Sequence, residues 1–149
     1  MFCYKAVGQP ADVLIHFSLL PRILNPRHST KTVLWCAHNS KTFIIVETMK
    51  LILGITTPAL IDHTTASVLQ HIRIAGDGVI PASQSTWGDT GGTLMKTWNS
   101  NNHQITWGVF GAALSALKEY TNEYGWGTAS FTIFDGVKEV GEGYVVSAD

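Results

Sequence analysis

At 149 residues the chain suits one domain and is long enough to bury a real core. Its net charge of −1 argues against a general nucleic-acid binder, and its charged fraction of 14% lies well below the usual one, about a quarter of residues. The charge is unevenly placed: residues 1–50 carry six Lys/Arg against Asp12 and Glu47, whereas residues 77–149 carry three Lys against eight acids. Both cysteines (Cys3 and Cys36) and all histidines but His103 precede residue 72, so two segments of different role are expected.

Residues 1–48 read as a poorly patterned N-terminal segment. DVLIHFSLL (12–20) is apolar but too short to span a bilayer, and Pro10, Pro21 and Pro26 break any long helix. TVLWCA (32–37) and TFIIVETM (42–49) have the composition of strands, with HNS (38–40) as a turn. This segment is either an N-terminal hairpin or lies upstream of the functional start. The second reading rests on Met49. From there Met-Lys, LILGITTPALI (51–61) and DHTTAS (62–67) supply the basic start, apolar run and small-residue site of a secretory signal. If Met49 is the start, the protein is secreted. Otherwise it is cytoplasmic, and residues 49–66 are a core strand or short helix. Pairing of Cys3 with Cys36 would need an oxidising compartment.

Residues 67–149 read as an α+β domain, a small antiparallel sheet with one long amphipathic helix packed on one face. VLQHIRIA (68–75) alternates Val68, Ile72 and Ile74 against His71 and Arg73, the pattern of a half-buried strand. GDGVIPASQ (76–84) and STWGDTGGT (85–93) read as loops. TLMKTW (93–98) is a strand with Leu94 and Trp98 on one face and Met95 on the other. NSNNHQ (99–104) is a polar connection. The helix spans 106–124: Trp107, Phe110, Leu114, Leu117 and Tyr124 recur at spacings of three and four, Thr106 caps the start and Gly125 provides a left-handed stop. Gly108 and Gly111 imply close packing or a later helix start. Residues 129–134 alternate, Asp135-Gly136 signals a type I′ hairpin, and Val137 to Val146 return, with Gly141 and Gly143 marking a bulge or twist. The expected order is ββαββ. Residues 1–66 would then be dispensable for the fold. The apolar runs of residues 1–48 would be left uncovered, so if retained they should either add strands to a sheet edge or drive aggregation.

Few residues carry a chemical signal. Gly88-Asp89-Thr90-Gly91-Gly92 invites comparison with the GDSGG loop of trypsin-like proteases, but threonine stands in place of the nucleophile. It also invites comparison with the Asp-Thr-Gly of aspartic proteases, but the second half of that signature is absent. The ordinary reading is a glycine-rich turn. No His-x-x-x-His and no Cys-x-x-Cys occurs, so neither a metal site nor a cofactor is expected. His103 could act as an acid or base, or be a solvated loop histidine. Glu119 and Glu123 share a helix face, as paired carboxylates or as a solvated acidic face. Trp87, Trp98, Trp107 and Trp126 crowd into forty residues, either as an aromatic-rich core or as an aromatic surface. The expected function is therefore non-catalytic binding or association with protein or carbohydrate, with Trp87, Trp98, Trp126 and His103 as candidate binding residues. No nucleic acid and no membrane span are expected, and a homo-oligomer is compatible. The alternative is a small hydrolase, an aspartic-protease-like dimer using Asp89.

IPASQSTWGDTGGTLMKTW, NNHQITWGVFGAALSALKEY and FTIFDGVKEVGEG together resemble a group of small fungal proteins that share a W-x-D-x-G-G loop, an N-N-H-Q-x-T-W helix start and a closing strand-turn-strand. The similarity covers about residues 79–146. It implies a one-helix, few-stranded α+β domain and assigns no catalytic residue. Residues 1–48 have no counterpart in the shared pattern.

Overall fold

The computed structural model describes residues 31–51, 56–88 and 92–147. Hydrophobic alternation drives three hairpins, and the two longer connections between them coil into helices. The order is β1 (Lys31–Cys36), β2 (Thr42–Leu51), α1 (Thr56–Ala75), β3 (Gln84–Gly88), β4 (Thr93–Asn99), α2 (Trp107–Tyr124), β5 (Gly127–Asp135) and β6 (Lys138–Ser147). The strands form a six-stranded sheet in the order β1-β2-β5-β6-β4-β3, with every neighbouring pair antiparallel. α2 lies over β1, β2 and β5, and α1 lies over β3 and β4.

The class is α+β, as the sequence implies, but there are two helices and six strands rather than one helix and about four strands. The difference lies in residues 56–75. Val68 and Ile72 are four apart, which suits a helix stripe as well as a strand face. The stripe begins earlier, at Leu60 and Ile61, and continues through Thr64 to Val68, all buried. Ile74, which completes the apparent alternation, is 76% exposed. Three hydroxyls in this helix (Thr64, Thr65 and Ser67) donate to the carbonyl four residues back, so the polar residues stay compatible with a helix. Gly76 closes it at φ 80°, its N–H donating to Ile72 O at 2.8 Å.

The expected boundary at residue 67 falls inside α1. β1 and β2 form the hairpin that their composition implies, and β2 sits between β1 and β5. Val33, Trp35, Ile44 and Val46 belong to the same core as the residues of α2. The stretch with signal-like composition is divided between the end of β2 and α1, with residues 52–55 outside the described residues. Residues 1–30, including Cys3, also lie outside them. Cys36, at the end of β1, is buried and disulfide-bonded.

The second helix follows its sequence pattern closely. Thr106 Oγ1 accepts from Val109 N at 3.2 Å, and Phe110, Leu114 and Leu117 are buried. Gly108 is explained by the α1–β3 connection: its N–H donates to Asp77 Oδ1 at 2.8 Å, and a Cβ there would overlap that carboxylate. Gly125 ends the helix at φ 98° and ψ 164°, a positive φ but an extended ψ rather than left-handed helix. In the β5–β6 hairpin the central residues are Gly136 and Val137, not Asp135 and Gly136, because Asp135 still pairs with Lys138. Only Gly136 has positive φ, 64°, as a turn with glycine in its first central position requires. A bulge does occur in β6, where Val140 lies between the residues paired with Ile133 and Phe134.

Candidate functional site

Antiparallel pairing sorts the side chains of every strand onto two faces. The face under the helices carries a row of Val46, Phe131 and Thr97, with Gly143 between the last two. That glycine is forced: a Cβ would stand 2.6 Å from Phe131 Cζ and 2.7 Å from the Lys96 carbonyl.

The opposite face has no helix over it among the described residues. Two cross-strand rows run across it. One contains Ile45, Thr132, Glu142, Trp98 and Gln84; the other contains Thr32, Glu47, Ser130, Tyr144, Lys96 and Thr86. They meet in an open depression of about 380 Å³ lined by both rows from β1 to β4. Trp98 and Tyr144 stand at one side, ring centroids 5.8 Å apart and tilted by 60°. Trp98 Nε1 donates to Glu142 Oε2 at 3.0 Å, which fixes the indole and leaves the other carboxylate oxygen available. Glu47 stands on the far side of β5, two strand spacings across and two residues along, or about 12 Å away. Ser130 and Thr132 lie between the two carboxylates. Neither glutamate forms an ion pair among the described residues.

The four candidates from the sequence do not share a place. Trp87 lies on the helix-covered face of β3, half-buried, its ring centroid 6.0 Å from that of Phe110. Trp126 precedes β5 and packs against the core. His103 is in the β4–α2 connection, half-buried, with its backbone N–H donating to Ser100 O at 3.0 Å. Trp98 alone of the four lines the open depression. Glu119 accepts a hydrogen bond from Trp35 Nε1 at 3.3 Å, whereas Glu123 is exposed. Asp89, the residue of the hydrolase alternative, lies outside the described residues. Among the described residues no three His, Cys, Asp or Glu side chains gather as a metal site would require, and no helix is long and apolar enough to cross a membrane.

Sequence reasoning missed Tyr144, Glu142 and Glu47. The available signal was parity: Glu47 in β2, Ser130 and Thr132 in β5, Glu142 and Tyr144 in β6 and Lys96 in β4 alternate with buried residues, as Trp98 does. Which strands stand side by side, and so which polar residues meet, follows only from the sheet order. Comparison with known protein families, with curated proteins and with solved structures gives no match.

Proposed function

We propose that the protein is a non-catalytic binding domain whose ligand, a carbohydrate, is held on the open face of the sheet at Trp98 and Tyr144. The observation that carries this reading is the depression itself. It pairs two aromatic rings with carboxylates and hydroxyls on a rigid sheet, and its volume is in the range of small-ligand sites. Aromatic rings offer a flat apolar surface to the C–H face of a sugar, while the surrounding oxygens exchange hydrogen bonds with its hydroxyls. The backbone groups of the central strands are already paired, so the site favours recognition by side chains over addition of a peptide strand.

A glycan array probed with the labelled chain tests this. Signal is expected for the unmodified chain and for Trp126→Ala, and loss is expected for Trp98→Ala. Retention of signal in Trp98→Ala would place the binding surface elsewhere.

A further inference from the structure

Resting on that reading, we infer that the site selects sugars bearing a protonated amine, so that its ligand is an oligosaccharide of glucosamine type rather than a neutral or N-acetylated one. The argument is charge complementarity within a bounded surface. The lining of the depression contains two carboxylates, Glu47 and Glu142, and no Lys, Arg or His. Lys96 occupies the same sheet face but is not part of the lining, and the ion-paired lysines among the described residues, Lys41 and Lys118, are engaged by Asp135 and Asp62. Two like charges are thus held about 12 Å apart across β5 without a counter-charge in the lining. A ligand amine entering between them would gain a charge-assisted hydrogen bond and relieve that repulsion.

The remaining lining decides between a cationic sugar and a basic peptide. Ser130 and Thr132 present hydroxyls midway between the carboxylates, and Thr32 presents a third. Such groups match a ring with several hydroxyls better than the methylene stem of lysine. The apolar members do not form a pocket for a peptide anchor: Ile45 is 7% exposed, Phe131 is 4% exposed and turned to the covered face, and Gly143 has no side chain. What stays accessible and apolar is the Trp98–Tyr144 pair, suited to stacking against a sugar ring. The two glutamates have different duties. Glu142 is fixed by the Trp98 indole, while Glu47 has no hydrogen-bond partner among the described residues and is free to meet the ligand.

The test is calorimetric titration of the whole chain with a glucosamine tetramer, with the N-acetylglucosamine tetramer of equal length, and with a tetralysine peptide. The expected result is binding of the glucosamine tetramer at least about tenfold tighter than its N-acetylated counterpart, with Glu47→Gln removing about that factor. Equal binding of the two tetramers, or unchanged affinity in Glu47→Gln, would overturn amine selectivity. If Trp98→Ala still abolished that binding, the carbohydrate reading of the open face would survive. Binding of tetralysine alone would overturn the sugar in favour of a basic protein partner. No binding of any of the three by a chain with a normal melting transition would overturn the inference too, and the array result for Trp98→Ala would then judge the surface independently.

Discussion

The two faces of one sheet are built from the same strands and meet opposite demands. Along β4, Met95 and Thr97 turn toward the helices and are buried, while Lys96 and Trp98, one residue away, are only half-buried on the other side. The covered face is saturated: Ile44, Val46, Ile133 and Met95 are inaccessible, and two glycines in β6 make room for Ile105 and Phe131. The open face carries hydroxyls and two glutamates that form no ion pair among the described residues. A residue on the covered face is constrained by volume. A residue on the open face is constrained, if at all, by what it binds.

The most severe way to break this contrast is to remove strands from the covered face. A fragment 67–149 lacks β1, β2 and half of α1, and with them Trp35, Ile44, Val46, Leu60 and Ile61. Each is a large apolar side chain worth about 1.5–3 kcal/mol when buried. Because domains of this size hold only about 5–15 kcal/mol in total, the fragment is expected to show no cooperative thermal transition in circular dichroism. A sharp transition near that of the full chain would show that the first two strands are accessory.

Single substitutions sharpen the contrast. Phe110→Ala, at the interface of α2 and the sheet, should cost about 3–5 kcal/mol, because Phe110 is 1% exposed and cannot be replaced without a cavity. Gly143→Ala should cost about 1–3 kcal/mol despite adding one methyl group, since its neighbours include a backbone carbonyl that cannot swing aside. Asp77→Ala should cost about 1 kcal/mol by freeing an N–H of the first turn of α2, and Asp77→Asn should recover part of it by restoring the acceptor. Urea unfolding at constant slope measures all three. A Gly143→Ala protein as stable as the parent would mean that the sheet gives way at Phe131.

Which parts of this were legible follows from the range of the forces involved. The helix at 107–124 was readable because its stripe, its Thr106 cap and its glycine stop are local. The parity of β4 was readable for the same reason: Leu94, Met95 and Trp98 fall where alternation puts them. α1 was misread because its stripe is interrupted by threonines whose hydroxyls turn back on the helix, a contact invisible as composition. The site was not legible because Glu47 and Glu142 are ninety-five positions apart and are brought to one face by β2 and β6 flanking β5. Local patterning identifies the face of a residue within its own strand; sheet order identifies its neighbours.

The smallest expected effect is the most discriminating. Glu47→Gln removes a carboxylate that has no hydrogen-bond or ion-pair partner among the described residues, so no contact among those residues is lost. It also removes one of two like charges about 12 Å apart. In a surface environment that repulsion amounts to roughly 0.5 kcal/mol, so the substitution should leave stability unchanged or raise it by about that much. The sign can be checked through salt. The gain should be visible at about 10 mM ionic strength, where the screening length is about 30 Å, and vanish at about 1 M, where it is about 3 Å. A covered-face residue behaves oppositely, since a lost packing contact is not restored by salt screening. If Glu47→Gln instead lowers stability by more than about 1 kcal/mol at both ionic strengths, the glutamate is holding the sheet together and the open face is structural. If the gain appears and is screened, the fold is carrying a charge that works against its own stability, as binding sites commonly do.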